Sequence, residues 1–114
     1  MTPAQIRDEA AKKLNIFGEG QALRGEHSDD LDNAYLQVHA ELQHEGLVTW
    51  SSTANIPTRY ELPIISLVAA ARAAKYNVST ERYQQLLIEE TKGWRTIYKL
   101  SSIGKMGQTE IENY

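Results

Sequence analysis

The chain has 114 residues, 41% of them hydrophobic and 24% charged, and a formal net charge of −3. That is the size of one domain with one core, too small for two independent cores and too apolar to stay unfolded. The acidic total argues against general affinity for nucleic acid, and the absence of cysteine excludes disulfides and thiolate metal sites.

A first helix is predicted to start at the beginning of the chain. Thr2 can cap it, Pro3 suits the first helical position and Gln5 stands where a capping-box partner belongs. Its apolar face is Ile6, Ala10 and Leu14, and Lys12 and Lys13 complement the carbonyl end of the dipole. Phe17 follows as the chain leaves the helix, Gly18 and Gly20 end regular structure, and a loop is expected to about His27. The second helix is expected to open with Ser28 as cap, to carry Asp29 and Asp30 in its first turn, and to close at Gly46. Leu31, Ala34, Tyr35, Val38 and Leu42 form its core stripe. Leu36 and Ala40 fall on the opposite side as a smaller apolar spot.

Residues 47–56 read as an extended connector without a sheet. The stretch to Tyr76 is apolar nearly all round, which marks a central, mostly buried helix whose start is either Pro57 or Pro63. Asn77 suits its end. Ser79 caps a long fourth helix ending about Leu100, with the face Tyr83, Leu86, Leu87, Glu90, Trp94, Ile97 and Tyr98. On its other side Lys92, Arg95 and Lys99 form a basic stripe, with Gln85 and Ile88 one or two turns earlier. The tail has isolated apolar residues, Ile103, Met106, Ile111 and Tyr114, interrupted by Gly104 and Gly107, and reads as an arm that orders against a partner. The expected class is therefore all-α: a small four-helix bundle over residues 1–100 with an extended C-terminal arm over 101–114.

Charge is unevenly placed, with a net of −5 over residues 1–58 and +2 over 59–114. No basic start followed by an apolar stretch is present, and the longest apolar run, Leu67 to Ala71, is far too short to span a bilayer. A reducing cytoplasm is the expected place of synthesis, with no membrane as partner.

The residues that carry chemistry elsewhere have plainer readings here. His27, His39 and His44 show no spacing that puts three ligands round one metal, so they read as surface or partly packed side chains. Asp29, Asp30 and Asp32 lack the glycine and terminal glutamate of a calcium loop. Gly18-Glu19-Gly20 with Gly25 follows a helix at the wrong spacing for a dinucleotide site, and Asn77-Val78-Ser79 is explained by the Ser79 cap. Glu89-Glu90, or Glu41 with Glu45, are the carboxylate pairs a glycosidase would need, yet acids at helical spacing usually make a solvated face. Trp50 reads as a core or interface anchor. No catalytic residue, metal ligand or cofactor is assigned. The basic stripe Lys92, Arg95, Lys99, with Lys105 beyond it, is the feature that suits contact with an acidic protein surface or with phosphates in a channel.

Four stretches in this order, Ile6 to Ile16, Leu42 to Trp50, Ile56-Pro57 to Tyr76, and the long helix with its tail, resemble the head-to-tail adaptor family of tailed bacteriophages. These are also called head-completion or tail-accessory proteins. The resemblance implies a helical bundle with a structural, non-enzymatic role in the virion, at the head–tail junction. It implies a homo-oligomeric ring, commonly dodecameric, under the portal protein, which extends the channel for packaged DNA without reading its sequence. The ring presents a platform for the next tail or nozzle protein. By position, portal binding falls to Trp94, Ile103, Met106, Ile111 and Tyr114. A ring also needs two unlike complementary surfaces per subunit, and Leu36, Ala40 and Ile88 are the apolar residues left over for neighbour contacts. The competing expectations are a helical DNA-binding or regulatory protein using the basic stripe and, in third place, a small hydrolase using Glu90.

Overall fold

The computed structural model describes residues 1–16 and 23–113, with side chains to Ser102. Four helices make up its regular structure: α1 (Pro3–Lys13), α2 (Gly25–His44), α3 (Thr58–Arg72) and α4 (Thr80–Asn113). No strand occurs among the described residues.

Local chemistry accounts for most of the helix ends. Thr2 Oγ1 accepts from the Gln5 amide at 3.2 Å while Gln5 Oε1 accepts from the Thr2 amide at 2.8 Å, so the capping box forms as expected. The stop of α1 is set by Asn15, which takes the left-handed conformation at φ 63°. The Ile16 amide then reaches back to the Ala11 carbonyl at 3.2 Å and the Asn15 amide to Lys12 at 3.1 Å. Phe17, Gly18 and Gly20 lie outside the described residues. The same motif closes α2, where Gly46 at φ 72° lets the Leu47 amide bond the Leu42 carbonyl at 2.9 Å.

The start of α2 differs from expectation. Ser28 is not its cap, because the Ser28 amide already donates to the Arg24 carbonyl at 2.9 Å inside the first turn, and the helix begins at Gly25. Tertiary contacts hold this extra turn. His27 packs edge-on against Tyr76 at 5.1 Å, and Asp30 accepts from Arg72 Nε at 3.1 Å, Lys75 Nζ at 3.0 Å and the Tyr76 hydroxyl at 2.7 Å. Asp30 is thus a tie between α2 and the end of α3, and Asp32 similarly receives Arg7 of α1 at 3.3 Å. Burial opposes the Asp30 charge, but the bonds from Tyr76, Lys75 and Arg72 outweigh it and hold its pKa below the ordinary value. Burial and the Asp30 carboxylate push the Tyr76 hydroxyl the other way.

The connector between α2 and α3 is irregular, as expected, and pinned at its ends by buried Leu47 and Ile56. Trp50 packs on Tyr60 with ring centroids 4.9 Å apart, and its carbonyl accepts from His39 Nε2 at 2.8 Å. A carbonyl can only accept, so Nε2 carries the proton. His39 is therefore buried and hydrogen-bonded between Tyr35 and Trp50 rather than on the surface.

α3 begins directly after Pro57, and Pro63 sits inside it. The missing Pro63 amide leaves the Arg59 carbonyl without its helical donor, a loss of one bond near the start of the helix. Ile64, Ile65, Leu67, Val68 and Ala69 are buried, and α3 packs against each of the other helices. α1 also packs on α2, whereas the backbone of α4 approaches α3 alone.

That single seam decides the orientation of α4. Ser79 caps it as expected, its Oγ accepting from the Arg82 amide at 3.2 Å. The expected face is rotated, however. Leu86 and Ile97 are buried, but Tyr83, Leu87 and Tyr98 are exposed, and the seam passes through Gly93. A Cβ on Gly93 would stand 3.0 Å from the Pro63 carbonyl oxygen, so the helices cross where one residue has no side chain. The expected helix end at Leu100 is also displaced, since the α4 backbone continues to Asn113.

Candidate functional site

Because the backbone of α4 approaches α3 alone, two of its flanks carry exposed side chains. At 100° per residue the flanks centre on directions roughly 110° apart round the helix. They have opposite chemistry.

The first flank faces the C-terminal half of α2. Leu87, Trp94 and Tyr98 lie along it, with Trp94 half-buried and its ring 6.0 Å from that of Tyr98. The Tyr98 hydroxyl donates to Glu45 Oε2 at 3.4 Å. Glu90, from the same helix, stands near enough to Glu41 to feel its charge. Burial first, and that like charge second, raise the Glu90 pKa above the ordinary carboxylate value. Glu90 thus senses Glu41 across two helices, while Glu41 and Glu45 both bear on Tyr98. Glu89 turns the other way and pairs with Lys13 at 3.1 Å.

The second flank carries Ile88, Lys92, Arg95 and Lys99 at spacings of four, three and four residues. Beside it runs an open cleft of about 490 Å³ between α3 and α4, lined by Arg59, Leu62, Ser66, Lys92, Gly93 and Thr96 among others. Leu62 is 74% exposed and Ile88 55%. Among the described residues, Arg59, Lys92, Arg95 and Lys99 make no side-chain hydrogen bond or ion pair. The cleft wall is fastened at one end by the Lys13–Glu89 pair and by Arg82, whose Nε donates to the Lys13 carbonyl at 2.9 Å.

Several residues singled out in the sequence thus have definite places. Leu36 and Ala40 are exposed on the outer side of α2, Ile88 is exposed on the basic flank, and Lys92, Arg95 and Lys99 lie in one solvent-facing stripe. Trp94 is part of the acid-rimmed flank. The side chains of Ile103, Lys105, Met106 and Ile111, and all of Tyr114, lie outside the described residues. Two members of the cleft carry no periodic signal in the sequence. Arg59 and Leu62 precede a proline near a helix start, and only the α3–α4 crossing brings them beside Lys92.

No group of three or more His, Cys, Asp or Glu among the described residues is placed to hold a metal ion. No helix among them is long and apolar enough to cross a membrane. Comparison with known proteins found no matching family model, no matching curated protein and no matching solved structure.

Proposed function

We propose that this chain is a structural assembly subunit, a head-to-tail adaptor that forms a ring beneath a phage portal, extends the DNA channel and joins head to tail. The observation that carries the reading is the pair of unlike apolar-centred flanks on α4, one acid-rimmed and one basic, on a unit whose own core is already filled. An assembly subunit needs such surfaces. Further support comes from Leu36 and Ala40, exposed on a third face, and from a last helix that continues beyond the packed unit. In this reading residues 101–114 are the portal-binding arm, with Ile103, Met106, Ile111 and Tyr114 as anchors and Trp94 at its root.

The test is co-sedimentation of the full chain with purified portal rings. The chain should bind at a fixed stoichiometry per portal subunit, and deletion after Leu100 should abolish binding while the helical circular dichroism and unfolding midpoint of the packed unit persist. A full chain that stays free beside intact portal overturns the reading, and wild-type binding by the truncation overturns the arm.

One observation favours a second reading, a DNA-binding or regulatory protein. The cations of the stripe have no partner within the described chain. Such a protein would bind duplex with an affinity falling steeply in salt, with a log–log slope of about −2.7 for three phosphate contacts.

A further inference from the structure

The two flanks of α4 are complementary to each other. One presents Leu87, Trp94 and Tyr98 rimmed by Glu41, Glu45 and Glu90; the other presents Leu62 and Ile88 rimmed by Arg59, Lys92, Arg95 and Lys99. We infer that the partner of the basic flank is the acid-rimmed flank of a second copy of this chain, docked head-to-tail. This deepens the reading as an assembly subunit by naming the neighbour contact, and it transfers that contact from the Leu36 and Ala40 side of α2 to the flanks of α4.

The argument is one of charge and unsatisfied surface together. Within one molecule the described acids and bases mostly pair: Arg7 with Asp32, Lys13 with Glu89, Arg72 and Lys75 with Asp30. Among the described residues without an ion pair, Glu41, Glu45 and Glu90 group on one flank and Arg59, Lys92, Arg95 and Lys99 on the other, while Asp29 and Glu81 stand at the starts of α2 and α4. Glu90, partly buried on α4, lies within reach of the Glu41 charge on α2, which disfavours its ionised form. Lys92, Arg95 and Lys99 follow one another along a stripe with Arg59 across the cleft from Lys92. A monomer keeps both like-charge groupings unrelieved. A second copy relieves both at once, since its bases neutralise the Glu41–Glu90 pair and its exposed Leu62 and Ile88 cover Leu87 and Tyr98. The central apolar contact supplies burial, while the charged rims set orientation and exclude a flank meeting its own kind.

The contact is heterologous, because the surfaces joined are different, so an open chain of any number of copies keeps one flank of each kind unfilled. Such a contact propagates, closing into a ring where the rotation per copy permits and running on as a filament where it does not. Both flanks belong to the one helix that crosses α3 at Gly93, so the angle between them is set by the helix itself.

The experiment uses the full chain alone, without portal. Sedimentation velocity across a range of concentration should show mass rising above the monomer at low salt and falling back as salt increases. Two variants split the contact: Lys92→Glu with Lys99→Glu removes the basic flank, and Glu41→Gln with Leu87→Gln and Glu90→Gln removes the other. All five side chains are exposed or only partly buried, and circular dichroism checks that each variant is folded. Each variant alone should associate at least about tenfold more weakly than the wild type. Mixed in equal amounts they should form a one-to-one dimer and nothing larger, since only one intact flank of each kind remains. Wild-type protein that stays monomeric up to millimolar concentration overturns the inference, as do folded variants that associate like the wild type or a mixture that fails to pair. If the monomer instead binds duplex DNA through Lys92 and Lys99, the inference is also overturned. Portal binding by a chain that never self-associates at these flanks would sink this contact and leave the adaptor reading intact; self-association without portal binding would do the reverse.

Discussion

Replacing Gly93 by alanine sets two effects of known size against each other. In an exposed helix interior the change from glycine gains about 1 kcal/mol, because alanine restricts the unfolded chain. Here the added Cβ would lie 3.0 Å from the Pro63 carbonyl oxygen, 3.6 Å from Pro63 Cα and 3.7 Å from a Leu67 methyl. The nearest of these is backbone, held in the middle of a packed helix, so α4 must retreat by a few tenths of an ångström along its one seam. Overpacking of this kind costs typically about 1–3 kcal/mol. Overpacking wins, and Gly93→Ala should lose about 1 kcal/mol net, with Gly93→Val losing about 3 kcal/mol. Gly25 is the control, since a Cβ there meets nothing within 4 Å and Gly25→Ala should gain about 0.5 kcal/mol. Urea unfolding followed by circular dichroism measures all three, with Trp94 fluorescence reporting on α4 beside the seam. A Gly93→Ala midpoint raised as much as that of Gly25→Ala would refute the close α3–α4 crossing, and with it the placement of both flanks.

Asp30→Asn removes a carboxylate whose pKa is depressed on folding from its ordinary value near 3.8. Such a group stabilises above its unfolded pKa and loses that contribution as pH falls through the folded one. The variant should therefore be about 1–3 kcal/mol less stable at pH 7, and the gap should close as pH falls below 3.8 through the lowered folded value, in urea titrations across that range. Glu90→Gln carries the opposite sign. With the folded pKa raised above 4.5, the carboxyl form is compatible with folding and stability declines as pH climbs through the raised value. The glutamine variant should be about 0.5 kcal/mol more stable than the wild type at pH 7 and equal to it at pH 4, and an advantage retained at pH 4 would refute the Glu41–Glu90 contact. Gly46→Ala forces a Cβ into φ 72° and should lose about 1–2 kcal/mol of unfolding free energy, while Gly46→Asn loses less, as Asn15 and Asn77 already adopt that conformation.

How much of this was legible depends on the reach of the contact concerned. The capping box at Thr2 and Gln5, the glycine stop at Gly46 and the Ser79 cap are hydrogen bonds between residues three to five apart, so spacing alone reveals them. The core stripe of α2 is equally legible, since Leu31, Ala34, Tyr35, Val38 and Leu42 all prove buried. The start of α2 was not, because the turn at Gly25–His27 is held by Tyr76 and by the Asp30 tie to Arg72, forty or more residues away. Ser28 has the right chemistry for a cap and was outcompeted by those contacts.

The sequence by itself determined the helix ends closed by local bonds, at Thr2, Gly46 and Ser79, the core stripe of α2, and that Lys92, Arg95 and Lys99 share one stripe. Only the tertiary structure decided the roll of α4 about its axis. Glycine adds nothing to an apolar pattern, so a seam running through Gly93 is invisible to periodicity. Yet the close approach that its missing side chain permits leaves Tyr98 and Leu87 exposed, brings Glu90 toward Glu41, and sets Arg59 and Leu62 beside Lys92. Intervals along a chain report on neighbours one helical turn away. The surfaces on which assembly would depend arise where two helices separated by a long interval meet, and their pairing is set by volume at the crossing.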